Sequence, residues 1–155
     1  MIFVRCVPQP RYTSQPIERS KYQPPEERNE RVIDQIKMSQ IIESYLGTPY
    51  KQGGSSKLGV DCSGFVVQVY KKYAGFSLPH NTEKLFKLVK KVDREKLGYG
   101  DLVFFSDHKF SPSHVGIYIG EGKFVHSIEG YGVIVSSLDE EYYRKSYIGA
   151  RRVIP

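Results

Sequence analysis

Between Glu30 and Leu46 the apolar residues Val32, Ile33, Ile36, Ile41, Ile42, Tyr45 and Leu46 leave a polar opposite face, and Gly47 and Pro49 follow as a stop. This pattern predicts an amphipathic first helix. Phe65, Val66, Val69, Tyr70 and Tyr73 recur at spacings of three and four, one face of a second helix, and Gly75 stands where a C-terminal cap is preferred. A short third helix is expected after Pro79-His80-Asn81, with Asn81 or Thr82 as N-cap and Leu85, Phe86, Leu88 and Val89 facing inward. After Gly100 the helical spacing gives way to runs of β-branched and aromatic residues: Asp101–Phe105, His114–Ile119, Lys123–Ile128, Gly132–Ser136 and Tyr147–Ile154. Gly120-Glu121-Gly122 fits a tight hairpin turn, which makes the strands on either side antiparallel neighbours. Helices followed by a meander of about five strands give an α+β fold, with the helices packed on one side of an antiparallel sheet.

At 155 residues the chain can bury one full core without disulfide staples. Five of its nine prolines fall within residues 1–27 among Arg, Gln and Ser, with almost no apolar periodicity, so this stretch is expected to be a tail or linker and residues 28–155 the folded domain. The opening Met1–Cys6 is too short for a signal peptide. Cys6 as a lipid-anchor site fits poorly, because Arg5 stands where such sites want a small residue, and both Cys6 and Cys62 are expected to be free thiols. A charged content of 26% argues against a membrane-embedded chain, and no transmembrane segment is expected. The net charge of +6 comes from scattered pairs such as Lys71-Lys72 and Arg151-Arg152 rather than a stripe, which argues against nucleic acid as partner and suits an anionic polymer.

The chemistry gathers at Gly59-Val60-Asp61-Cys62-Ser63-Gly64-Phe65, where a glycine-bounded turn enters the second helix and Cys62 falls at its start. Free N–H groups and the helix dipole at such a position stabilise a thiolate and lower its pKa. An inert Cys filling a core gap is the alternative. Among the four histidines, His80 and His108 lie in exposed settings, whereas His114 opens a strand and His126 sits within the next. Across the predicted hairpin these two face each other or nearly so, close enough for one imidazole to orient the other. A thiol, a base and a group that orients the base are the parts of nucleophilic acyl transfer, and Cys62, His114 and His126 can supply them. Tyr50 can present its hydroxyl above the thiol or pack on the core as a loop tyrosine. A zinc site built from Cys62, His108, His114 and His126 lacks the usual ligand spacing.

The ordered motifs Gly47-Thr48-Pro49-Tyr50, Asp61-Cys62-Ser63-Gly64-Phe65, Gly100-Asp101-Leu102-Val103-Phe104-Phe105, His114-Val115-Gly116-Ile117-Tyr118-Ile119-Gly120 and Phe124-Val125-His126 resemble those of the NlpC family of bacterial cell-wall cysteine peptidases, over about Ile33 to Val153. The resemblance implies a reduced papain-like fold with Cys62 as nucleophile, His114 as base and His126 as orienting residue. It places Tyr50 beside the nucleophile and Asp61 and Ser63 in the substrate pocket. The implied reaction is hydrolysis of peptidoglycan stem peptides, at the bond from γ-D-glutamate to a diamino acid such as meso-diaminopimelate, in the periplasm or cell envelope and without metal or other cofactor. A wall-binding domain without turnover and a thiol acyltransferase of the same fold are the alternatives. The sequence departs from the family at Leu78-Pro79-His80, where Arg usually follows the proline.

Overall fold

A computed structural model describes residues 25–88, 90–108 and 111–154, with side chains outside 25–33 and Leu88. The expected tail, including Cys6, lies outside the described residues apart from its last three positions, because α1 (Pro25–Glu43) begins at Pro25. Met38, Ile42 and Tyr45 form the buried line of this first segment, whereas Ile36 and Leu46, expected on the same face, are exposed. Met38 lies two residues beyond Ile36, about 200° around a helix, so the two cannot share a face.

A small hairpin of β1 (Ser55–Ser56) and β2 (Gly59–Val60) leads into α2 (Cys62–Ala74). Phe65, Val66, Val69 and Tyr70 are its buried line, and Gly75 ends it in the left-handed region at φ 70°. The helix α3 (Thr82–Leu88) buries Leu85 beneath it. The remaining strands are β3 (Lys90–Val92), β4 (Leu102–Phe105), β5 (His114–Gly120), β6 (Lys123–Ile128), β7 (Gly132–Ser137) and β8 (Tyr147–Arg152), with α4 (Glu141–Ser146) between the last two.

The sheet has six strands in the order β3-β8-β4-β5-β6-β7, all antiparallel. Its sixth strand, β3, and the helix α4 are additions to the elements read from the pattern. The β5–β6 hairpin turns through Glu121 and Gly122, both with positive φ, as a tight turn of the hand that matches strand twist requires.

Alternation along the strands divides the interior into two layers. Val115, Ile117, Leu102, Phe104, Val125 and Val133 pack with Phe65, Val66 and Val69 of α2, while Val103, Phe105, Phe124, Leu138, Tyr143 and Ala150 form a second cluster on the other face, under α4. Asp101 of the Gly100–Phe105 motif is buried and forked by Arg152, whose Nε donates to Oδ1 at 2.8 Å and Nη2 to Oδ2 at 2.7 Å. That ion pair ties the end of β8 to the entry of β4, so the motif's aspartate holds the centre of the sheet.

Candidate active site

The start of α2 is anchored by its own cap. Asp61 Oδ1 accepts from Gly64 N–H at 2.6 Å, and Oδ2 accepts from Gly53 N–H at 2.8 Å, so one carboxylate pins both the helix and the preceding loop. Gly64 permits this closeness, because a Cβ there would lie 2.1 Å from the Gly54 carbonyl oxygen. Behind the cap, Val60 is fully buried and its carbonyl accepts from Ser127 Oγ of β6 at 2.7 Å. Cys62 is thus the first residue of a helix whose entry is fixed to the sheet.

The thiol Sγ lies 3.8 Å from Thr82 Oγ1 at the start of α3, and the backbone N–H of Val115, the residue after His114, is directed at it. These contacts bring Cys62 to the head of β5. Burial pushes the thiol pKa up, against the lowering effect of Thr82 and the N–H groups of Val115 and Ser63. Burial therefore outweighs the depression expected at a helix start and holds the thiol above its ordinary range.

The two histidines meet as the hairpin suggests, but by a diagonal route. Ile117 pairs with Val125 and Tyr118 with Phe124, a register that sets His126 opposite Gly116, two residues beyond His114. They are diagonal neighbours rather than face-to-face partners, and the glycine opposite His126 leaves the ring free to lean along the strand. His114 Nε2 and His126 Nδ1 are 2.7 Å apart with the rings nearly perpendicular. That bond occupies Nε2 of His114, so Nδ1 is the nitrogen available to a thiol. Burial drives the His114 pKa down to about 4, opposed by the Asp107 carboxylate, and burial followed by the proximity of His114 drives His126 down to about 3. Both imidazoles are neutral at neutral pH.

Of the remaining expected site residues, Ser63 is buried next to the thiol with its hydroxyl 3.3 Å from Asp61 Oδ1. Tyr50 bridges to Val60, and its phenol is pushed up first by burial and then by the proximity of Cys62, Asp61 and Glu129, which keeps it a hydrogen-bond donor. The Asp61 carboxyl is raised by burial, but the Gly64 N–H, His80 and the Gly53 N–H together hold it below its usual range. His80 is the site member that sequence reading missed: its Nε2 lies 2.7 Å from Asp61 Oδ1, in the position where the family usually has Arg. The expected departure was visible, its partner across nineteen residues was not. Thr82 was read only as a cap, and nothing in the linear pattern joins it to Cys62. His108 is exposed and bonds through its backbone to Ser106. Among the described residues no group of three or more His, Cys, Asp or Glu side chains could hold a metal ion, and no helix is long and apolar enough to cross a membrane.

A helix-borne thiol packed on an antiparallel sheet, with an imidazole at the head of the strand beside it, defines the papain-like α+β class. Residues 47–152 match the NlpC/P60 family, and the chain belongs to it. It is 44% identical over 119 residues to the Murein DD-endopeptidase MepS/Murein LD-carboxypeptidase of Escherichia coli strain K12, covering 75% of this chain and 63% of that protein. It is 37% identical over 119 residues to the Gamma-DL-glutamyl hydrolase of Bacillus subtilis, covering 76% of this chain and 29% of the relative. An NlpC/P60 family protein from Bacillus cereus has a crystal structure that superposes with a TM-score of 0.73 at 35% identity, over 78% of this chain and 40% of its own. The chain thus spans less than two thirds of the length of these relatives.

Proposed function

We propose that the chain is a cysteine endopeptidase that hydrolyses peptide bonds of peptidoglycan, with Cys62 as nucleophile, His114 as base and His126 as orienting residue. The observation that carries this reading is the bonded pair of neutral histidines on β5 and β6, at the strand head where the helix-start thiol sits. In the first step His114 Nδ1 takes the thiol proton as Sγ attacks the amide carbonyl. The oxyanion is received by backbone N–H groups at the start of α2 and by the Tyr50 phenol. His114 then returns its proton to the leaving amine, and water, deprotonated by the same nitrogen, cleaves the thioester. Resting as a thiol and a neutral imidazole, the pair transfers its proton only when an acceptor carbonyl is in place.

Asp61, Ser63 and Tyr50 line the approach to the thiol and suit the polar groups of a stem peptide. Two bonds compete as substrate. The link from γ-D-glutamate to the diamino acid, commonly meso-diaminopimelate, follows from the family and from the name of the Bacillus relative, whereas the DD-endopeptidase name of the Escherichia coli relative favours the cross-link between D-centres. Action on this polymer suits a protein of the periplasm or cell envelope, with residues 28–155 as the catalytic unit and 1–27 as a linker to it. Incubation with defined cross-linked and uncross-linked muropeptides, read by mass spectrometry, tests this: products cut at one of these bonds are expected, and Cys62→Ala should yield none. Hydrolysis that persists undiminished in Cys62→Ala would overturn the assignment.

A further inference from the structure

The histidine pair does not end the chain of hydrogen bonds. His126 is fully buried, and its second nitrogen, Nε2, lies 2.9 Å from Ser136 Oγ of β7 and 3.4 Å from the hydroxyl of Tyr143 of α4. Tyr143 also closes edge-on over the His126 ring at 5.4 Å and over Phe124 at 4.9 Å, so Ser136 and Tyr143 are themselves shut away from solvent. Nothing in the reaction as described above uses either hydroxyl. We infer that Ser136, backed by Tyr143, is a positioning residue that fixes the tautomer of both histidines and thereby leaves Nδ1 of His114 bare for the thiol proton.

A neutral imidazole carries a single N–H, so each ring donates at one nitrogen and accepts at the other. The row Ser136, His126, His114, Cys62 therefore has only two consistent directions. In one, Ser136 Oγ accepts from His126 Nε2–H, His126 Nδ1 accepts from His114 Nε2–H, and His114 Nδ1 is empty. In the other, Ser136 donates to His126 Nε2, His126 Nδ1–H donates to His114 Nε2, and the His114 proton sits on Nδ1, where the ring can take nothing from Cys62. A lone buried histidine behind the base would allow both, so the choice is made where the row ends.

Ser136 has one hydrogen. Its oxygen can also accept, and the Tyr143 hydroxyl, 3.4 Å from His126 Nε2, is a second oxygen able to do so. Only the direction in which Ser136 Oγ accepts from His126 Nε2–H leaves Nδ1 of His114 bare, so a base at His114 requires that direction. Of the two hydroxyls near Nε2 the serine is the nearer, within the ordinary range for a hydrogen bond, while the phenol stands beyond it. Because the cluster is closed off, water cannot replace a missing Ser136 hydroxyl without opening the aromatic packing around it. When His114 becomes an imidazolium in the first step, the same bonds hold it in place and no proton needs to leave His126.

This inference rests on the reading of Cys62 and His114 as nucleophile and base, and its test reads the tautomers directly. Histidine labelled in the imidazole nitrogens is observed by long-range proton–nitrogen NMR in the Cys62→Ala protein, where thiol chemistry is removed, and in the parent. Both His114 and His126 are expected as the Nε2–H form. Ser136→Ala should give a mixture of the two forms and lower kcat about tenfold with little change in KM, the worth of one neutral hydrogen bond. Ser136→Thr, which restores the hydroxyl, should recover the single form and most of kcat. Finding His126 as the Nδ1–H form in the parent overturns the inference, as does a Ser136→Ala protein that keeps one tautomer and full kcat. Should Ser136→Ala fail to fold, the tautomers of the parent decide. Hydrolysis retained by Cys62→Ala would instead defeat the catalytic reading and leave the tautomer result standing.

Discussion

Replacing Gly116 by Ala adds a single methyl between the two histidine-bearing strands. Built on the backbone, that Cβ lies 2.6 Å from Cδ2 of Phe124, 2.9 Å from the carbonyl oxygen of Val125 and 3.1 Å from Cβ of His126. None of the three can yield cheaply. The Val125 carbonyl belongs to the strand pairing with Ile117, and the Phe124 ring is fully buried between Phe105 at 5.0 Å, Tyr143 at 4.9 Å and His126 at 4.7 Å. Strands β5 and β6 must separate, at about 2–3 kcal/mol for overpacking and a weakened ladder bond. For a domain of this size that lowers Tm by roughly 10 °C. The same movement draws His126 from its 2.7 Å bond with His114, and a displacement near 1 Å at a reacting group can cost on the order of 10²-fold in rate. Urea unfolding followed by circular dichroism, and turnover of a muropeptide by the still-folded protein, measure the two effects. A Gly116→Ala protein with unfolding free energy within about 0.5 kcal/mol of the parent and undiminished turnover would show that this register is wrong.

The other outcomes concern the histidines and their surroundings. His126→Asn or His126→Gln can still accept a hydrogen bond from His114 Nε2 and should retain measurable activity, whereas His126→Ala should lose about 10²-fold and His114→Ala nearly all; His126→Asn as inactive as His114→Ala would mean that His126 itself moves a proton. Acid should destabilise the fold early. The folded pKa values of about 4 for His114 and about 3 for His126 lie below the ordinary 6.5, so on lowering the pH the unfolded chain takes up protons first. The stability they contribute is complete above about pH 6.5 and falls away as the pH drops through the folded values. Urea midpoints across that window should fall with acid, and less steeply in His126→Asn; a flat profile in the parent would contradict the burial of these rings as neutral groups. Removing Arg152 leaves the buried Asp101 carboxylate unpaired, and Arg152→Gln should cost about 2–4 kcal/mol by the same urea assay; a loss under about 0.5 kcal/mol would show that Asp101 is held by other bonds.

Much of this molecule is written in short stretches of its chain. The strand runs after Gly100 fall on β4 to β8 because their β-branched and aromatic residues suit a sheet with both faces covered, and the Gly120-Glu121-Gly122 turn fixes the hairpin by itself. Cys62 at the head of α2 follows from Asp61 as cap and the periodic line that begins with Phe65. What escaped depends on tertiary partners. Lys90-Lys91-Val92 has no strand pattern and becomes a strand only by pairing with β8, and Glu141–Ser146 is too short for a helical period to register. The diagonal offset of the histidines turns on the bulge between Tyr118 and Gly120, which a symmetric reading of the turn does not include. The raised thiol pKa reflects burial that a helix-start argument cannot anticipate, and the links from Asp61 to His80, from Cys62 to Thr82 and from His126 to Ser136 and Tyr143 join segments with no periodic relation.

Cys62, activated by His114, is expected to form an acyl-enzyme with a stem peptide. Mixing the protein with a defined muropeptide, quenching in acid within the first turnover and measuring the mass of the Cys62-containing peptide tests it most directly. An added mass equal to the acyl half of the cleaved substrate is expected on Cys62, removed by hydroxylamine and absent in His114→Ala. Substrate cleaved at full rate with Cys62 unmodified throughout, or an adduct that forms equally well without His114, would contradict it.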